Sequence, residues 1–183
     1  MNSAERRAAG AHYTTEKNIL KVIQPRFLGE LKAEFERIRN RKDSRRRVEL
    51  QGFQKRLGEL NFFDPACGCG NFLVISYREL RLLELQVLRA SHELSGLGGQ
   101  QSVDVHGLIR VDVDQFYGIE IEEFPAQIAQ VALWLADHQM NLRVSEEFGL
   151  YFARIPLKTS PHIVHGNALT LDWNAVLPAE RCS

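Results

Sequence analysis

A chain of 183 residues, 44% hydrophobic and 25% charged, has the composition of an ordinary soluble domain and is long enough to bury one sizeable core. Its formal net charge is zero, so bulk charge gives no reason to expect a polyanionic partner, and any nucleic-acid contact requires a local basic patch. The sequence contains neither a signal peptide nor an apolar run long enough to cross a bilayer, which favours a cytoplasmic location.

The cysteines and histidines predict no metal site. Cys67, Cys69 and Cys182 are odd in number, and a lone C-x-C lacks the second ligand pair of a zinc site. His162 and His165 have ligand-like spacing, which does not change that prediction. We expect the cysteines to fill tight space beside the glycines, where a small apolar side chain fits.

The first predicted elements in chain order are helices. Thr15, or alternatively Thr14, can cap a helix that begins at Glu16, and apolar residues recur at helical spacing as far as Ile38. Pro25 should kink or split this helix, because proline removes a backbone donor.

A basic run, "RIRNRKDSRRR", occupies residues 37–47. Like-charge runs usually form solvated faces, but accessible Arg and Lys side chains can also contact phosphates, so both interpretations stay open. A second amphipathic helix should follow the run, with Val48, Phe53, Leu57 and Leu60 as its apolar positions.

Three short apolar segments predict strands: "LNFFD" (60–64), "FYGIEI" (116–121) and "HIVHGNAL" (162–169). A helical pattern follows each of the first two strands, whereas 91–101 is typical of a flexible loop and 145–161 of irregular structure. Alternation of strands and helices is the pattern of a parallel sheet with covering helices. The prediction from the pattern is therefore an α/β fold, with a parallel sheet and covering helices preceded by an N-terminal helical segment.

Two glycines, Gly68 and Gly70, follow the first predicted strand and would let a ligand approach the bare backbone. A dinucleotide site would need a third glycine where Leu73 stands, and no G-K-[ST] follows to make a P-loop. Taken alone, the pair is as consistent with a tight turn as with a binding site.

The next two strand ends favour a binding site. Glu120 ends the second strand, where its carboxylate can accept hydrogen bonds from both ribose hydroxyls, and Asn167 follows the third, where it can bond to an adenine edge. Together with the glycine turn, these side chains suit an adenosine ligand without requiring a pyrophosphate. In the alternative interpretations Asp64 is a strand-end cap, Glu120 a helix-start acid and Asn167 a turn residue.

These segments resemble the motifs of class I S-adenosylmethionine-dependent DNA methyltransferases that modify the N6 amine of adenine. "DPACGCGNFL" resembles the D-P-A-C-G-[ST]-G-x-F-L motif, "GIEIEE" the second motif, "HGNAL" the third, and "GAHYTT" the N-terminal G-x-[FY]-T-P segment. The chain is most similar to MmeI-type single-chain restriction–modification enzymes, and the resemblance covers nearly all of it. The family implies a Rossmann-like class I methyltransferase fold.

The resemblance also implies roles for individual residues. The cofactor's methionine end would contact Tyr13 and Thr14, and its ammonium would bind Asp64, directly or through water. The backbone of Ala66, Gly68 and Gly70 would line the cofactor. The ribose would bind Glu120, and the adenine would contact Ile121, Asn167 and Leu169. The family often has Asp at the position of Asn167, Pro at that of Thr15, and Ser or Thr at that of Cys69.

The family's catalytic N-P-P-[FYW] motif does not occur in the 183 residues. We therefore expect residues 1–58 to form an N-terminal helical segment and residues 59–183 a partial S-adenosylmethionine-binding domain. The parent enzyme would methylate adenine in DNA, with 37–47 a possible contact, whereas this chain alone would be catalytically incomplete. The alternatives are a class I methyltransferase of another substrate and a non-catalytic module that binds DNA or a partner.

Overall fold

A computed structural model of the chain describes residues 14–94, 109–148 and 160–181. Tyr13, most of the predicted loop at 91–101 and residues 149–159 lie outside these ranges. Within them, no helix is both long enough and apolar enough to span a membrane.

Helices precede the sheet, as the sequence predicts. They are α1 (Glu16–Ile23), a π-helical segment (Gln24–Leu28), α2 (Gly29–Arg39) and α3 (Arg46–Leu57). The π-helical segment contains Pro25 near its start and ends where the Gly29 N–H donates to the carbonyl of Gln24. Proline therefore changes the helix type here rather than ending the helix, because a wider turn tolerates the missing donor.

In the described ranges the sheet is parallel and has three strands in the order β1-β2-β3. They are β1 (Phe62–Asp64), β2 (Phe116–Glu120) and β3 (His162–His165). The register pairs Asp64 with Gly118 and Glu120 with His165. The fold-class prediction is thus confirmed, and the carboxyl ends of all three strands lie at one edge.

Long helices follow the first two strands, and a short one follows the third. They are α4 (Asn71–Leu94), α5 (Glu123–Phe148) and α6 (Trp173–Val176). Both long helices extend further than the sequence pattern indicated. Residues 91–94 belong to α4 and residues 145–148 to α5, so the prediction of non-helical structure is wrong at those positions.

One hydrophobic core includes side chains from the N-terminal helices, both long helices and the sheet. Leu50, Phe53 and Leu57 of α3 are buried in it, whereas Val48 is 68% exposed. The prediction for Val48 is therefore wrong, because Leu50 lies about 200° away around a helix and continues the stripe that Phe53 and Leu57 form.

A buried polar network joins α4 to α5. The Tyr77 hydroxyl donates to Asp137 over 2.6 Å, and the Asn141 amide donates to the other oxygen of Asp137 over 3.0 Å. Arg81 donates to Asn141 over 2.8 Å and to the carbonyl of Val111 over 2.9 Å. Burial raises the pKa of Tyr77 well above its ordinary value, so its hydroxyl stays protonated as a donor.

Candidate functional site

Hydrogen bonds join the tips of the three strands. The Cys67 N–H, just past β1, donates to the carbonyl of Ile119 over 3.0 Å. The Gly166 N–H, just past β3, donates to the carbonyl of Glu120 over 2.8 Å. The Gly68 N–H donates to Oε2 of the Glu120 side chain over 2.8 Å. The structure thus brings Gly68 and Glu120 together, although 52 positions separate them.

The two glycines of the turn, Gly68 and Gly70, have different structural roles. Both have positive φ, 55° at Gly68 and 79° at Gly70, which favours glycine at each position. A Cβ on Gly70 would lie 2.9 Å from the Cβ of Ala129, so this glycine lets α5 pack closely against the turn. A Cβ on Gly68 would have no neighbour within 4 Å, so the backbone there faces open space.

The carboxylate of Glu120 is oriented before any ligand arrives. One oxygen accepts from the Gly68 N–H, and the other accepts from the Glu122 N–H over 3.0 Å. No Lys, Arg or His in the part of the chain that the structure describes forms an ion pair with it. Each oxygen keeps acceptor capacity for a further donor such as a hydroxyl group.

A second carboxylate, Asp64, ends the first strand. Its Oδ1 accepts from the Ala66 N–H over 3.0 Å, so it does cap the turn locally. Burial raises the pKa of Asp64 above its ordinary value, and the negative charge of Glu120 raises it further, although the Ala66 hydrogen bond opposes both. The described residues supply no cation to balance either acid. The pair therefore favours a ligand that carries positive charge or several hydrogen-bond donors.

Asn167 accepts hydrogen bonds from the residues of the turn that follows β3. Its Oδ1 accepts from the Leu169 N–H over 2.9 Å, and its main-chain carbonyl accepts from the Thr170 and Leu171 N–H groups over 3.0 and 2.9 Å. The side chain is nonetheless exposed, and Leu169 is 92% exposed beside it. Contact of either residue with an adenine ring stays a prediction.

Exposed apolar side chains lie beside Glu120. Ile121 is 60% exposed and Phe124, in the first turn of α5, is 72% exposed. The His165 ring contacts the Ile121 carbonyl, with Nε2 and the oxygen 3.0 Å apart. Neither Phe124 nor His165 was predicted as a residue of this site, because the sequence pattern does not show that they lie beside Ile121.

The N-terminal segment packs onto the helix that follows the glycine turn. Ile19 and Ile23 of α1 form a cluster with Phe72 and Ile75, which lie in the first turns of α4. Thr14 is exposed, two residues before the start of α1. The packing brings α1, which begins directly after the "GAHYTT" segment, to the end of α4 nearest the turn. The contacts of Thr14 with a ligand stay a prediction.

Cys67 has a packing position in this region. Its Sγ lies 2.8 Å from where a Cβ on Gly118 would stand, so cysteine and glycine fit each other across the β1–β2 tip. Burial raises the pKa of Cys67 to about 12, with smaller contributions from the charges of Asp64 and Glu120. Its thiol is therefore neutral at physiological pH. Among the described ranges, no group of three or more His, Cys, Asp or Glu side chains could hold a metal.

Known proteins resemble this chain in sequence and fold. A family model described as the MmeI DNA-methyltransferase domain matches residues 36–183. The solved structure of the type IIL restriction–modification enzyme MmeI in complex with DNA is 62% identical with a TM-score of 0.87, and the match covers 100% of this chain and 23% of that one.

Curated relatives also match, and two of them illustrate the range. DNA methyltransferase A of Bacillus subtilis (strain 168) is 39% identical over 172 residues, which is 93% of this chain and 18% of the relative. The adenine-specific methyltransferase PglX of Streptomyces coelicolor is 33% identical over 78 residues, which is 43% of this chain and 6% of the relative. The chain therefore spans less than a fifth of the curated relatives' length.

Proposed function

The chain belongs to the MmeI DNA-methyltransferase domain family, and from that premise we propose that it binds S-adenosylmethionine at its three strand tips. The whole enzyme would transfer the methyl group to adenine N6 in DNA within a restriction–modification system. A class I methyltransferase of another substrate is the nearest alternative, and relatives named as DNA and adenine-specific methyltransferases favour the DNA substrate.

The main support for the proposal is the hydrogen bond from the Gly68 N–H to the Glu120 carboxylate. It sets a main-chain amide, a carboxylate and open space side by side, with the Asp64 carboxylate nearby and no balancing cation among the described residues. S-adenosylmethionine carries an ammonium group, a sulfonium and two ribose hydroxyls. Its donors and positive charges match the acceptors and negative charges of this site.

Each residue of the site would do one task. When bound, S-adenosylmethionine supplies an electrophilic methyl group on a positively charged sulfur. Asp64 would hold the ammonium, Glu120 would accept from both ribose hydroxyls, and Ile121 would pack on the adenine ring. The remaining contacts in the proposal come from the residues that the family motifs imply: Tyr13, Thr14, Ala66, Gly68, Gly70, Asn167 and Leu169.

The two parts of the chain that the sequence predicts would have different roles. Residues 1–58 would support the glycine turn through α1, and residues 59–183 would hold the cofactor. The target adenine would need acceptors for its amine and an aromatic ring to stack on after it flips out of the duplex. The N-P-P-[FYW] motif that does this in the family is not among the 183 residues, so the chain alone would bind cofactor without methylating DNA.

We place the enzyme in the cytoplasm, where DNA and cofactor are both available.

The basic run at 37–47 supports a DNA contact. Arg41 is neutralised by Asp43 and Glu49, at 2.7 and 2.8 Å. Arg45 and Arg47 are exposed and form no ion pair with the residues described here. We propose that these two bind phosphates. Replacing either with Ala should weaken DNA binding and reduce the salt dependence by about one counterion, whereas Arg41→Ala should change both less.

Calorimetry with S-adenosylmethionine and its demethylated product tests the cofactor proposal. Glu120→Ala should weaken binding by about a hundredfold or more, because two hydrogen bonds to a charged group are lost at ~1.5 kcal/mol or more each. Glu122→Ala is the matched control: it removes a neighbouring exposed charge but keeps the backbone N–H that donates to Glu120. Equal losses in the two variants would refute the ribose assignment.

Two further outcomes would change the proposed function. If neither compound binds and salt-sensitive DNA binding survives Glu120→Ala, the chain is a non-catalytic module. If the chain alone transfers labelled methyl groups to DNA efficiently, a catalytic motif outside these residues is not required.

A further inference from the structure

We propose that His165 is a positioning residue for cofactor binding, acting through the carbonyl of Ile121. The inference rests on the proposed function, since it concerns the face of the site that would hold the adenine ring. It adds to that function a side chain that begins the "HGNAL" segment but to which we assigned no contact with the cofactor.

The contact is specific in its chemistry. Nε2 of His165 lies 3.0 Å from the Ile121 carbonyl oxygen, and a carbonyl only accepts, so Nε2 must carry the proton. His165 is the last residue of β3 and pairs in register with Glu120, the last residue of β2. The strand pairing therefore sets the imidazole directly beside the segment that leaves β2.

Together with its neighbour, His165 fixes two successive carbonyls of that segment. The Gly166 N–H donates to the carbonyl of Glu120 over 2.8 Å, and the His165 ring donates to the next carbonyl, that of Ile121. On the other side, Glu122 donates its N–H to the Glu120 carboxylate over 3.0 Å. The backbone is thus held on both sides of Ile121.

Ile121 needs this support because its own side chain packs little. At 60% exposure it has few neighbours to fix its direction, so its position depends on the backbone that carries it. Without the imidazole, water can satisfy the exposed carbonyl, and the global stability should change little. The loss should instead appear as a looser Ile121 and weaker binding of the adenine ring.

Calorimetric titration of the 183-residue chain with S-adenosylhomocysteine tests the proposal. His165→Ala should weaken binding roughly threefold to tenfold, as expected for one neutral hydrogen bond, with a nearly unchanged unfolding midpoint. His165→Gln should restore most of the affinity, because its amide nitrogen can donate to the same carbonyl. His162→Ala is the matched control: it removes the same residue type at the amino-terminal end of β3, where the ring stacks on Tyr117.

A double-mutant cycle separates positioning from a general structural effect. If His165 acts through Ile121, then His165→Ala should cost almost nothing in an Ile121→Ala background. Equal losses in both backgrounds, or no loss in either while the wild type binds, would overturn the inference alone. A wild-type chain that binds no S-adenosylhomocysteine would overturn the proposed function and the inference with it.

Discussion

Replacement of each turn glycine by alanine separates backbone strain from helix packing. Both Gly68 and Gly70 have positive φ, so either substitution should lower the free energy of unfolding by about 1–2 kcal/mol through the left-handed backbone alone. Gly70→Ala also sets a Cβ 2.9 Å from that of Ala129, and overpacking of this kind costs about 1–3 kcal/mol more. The total for Gly70→Ala should be about 2–5 kcal/mol.

Urea denaturation followed by circular dichroism measures both losses. Ala129→Gly removes the opposing methyl group, so in that background the cost of Gly70→Ala should fall toward the value for Gly68→Ala. It should stay somewhat higher, because the main-chain Cα of residue 129 would still lie 3.1 Å from the new Cβ. The cost of Gly68→Ala should be the same in both backgrounds, since the new methyl group would have no neighbouring atom within 4 Å. Equal losses at the two glycines, or no relief from Ala129→Gly, would refute the packing explanation.

Ligand binding should rank the same variants in the opposite order. The new methyl group of Gly68→Ala points into the open space that the cofactor would occupy, whereas that of Gly70→Ala points into α5. Measured on folded protein, Gly68→Ala should therefore lose more affinity for S-adenosylmethionine. A larger loss in Gly70→Ala would mean that the open space beside Gly68 is not where the ligand binds.

Three further predictions concern single groups. Only ionised Asp64 can hold a cation, so affinity for S-adenosylmethionine should fall as the pH drops through its raised pKa, beginning above the ordinary value of 3.8. Asp64→Asn should remove that pH dependence in calorimetry. Tyr77→Phe should lower the free energy of unfolding by about 1–2 kcal/mol, because it takes a donor from buried Asp137; unchanged stability in urea would contradict this. Cys67, buried and with a pKa of about 12, should resist iodoacetamide in the native chain, whereas Cys69 should react and be protected by cofactor; peptide mapping distinguishes them.

The sheet and the meeting of Gly68 with Glu120 were predictable because they follow from general rules. Carboxyl ends of parallel strands share an edge, so residues that follow two paired strands must be neighbours. The extent of α5 was also predictable in principle. Residues 145–148 contain no Gly or Pro, and Gly149 is the first helix-ending signal after them.

Other features depend on contacts that a single sequence does not encode locally. The error at Val48 is not one of these features, because Leu50, and not Val48, has helical spacing to Phe53 and Leu57. The Oδ1 of Asn167 is the same acceptor whether it bonds its own turn or an adenine, so residue type does not separate the two roles. The approach of His165 to Ile121 depends on the strand register, which the sequence pattern leaves open.

The hydrogen bonds between strand tips couple ligand binding to folding. They join residues separated by 46 to 52 positions, so the site does not exist until the three strands have paired. Closing such long loops is slow, and the site should therefore form late in folding. A ligand held there would recognise only the assembled sheet and, by mass action, raise the temperature at which the whole domain unfolds.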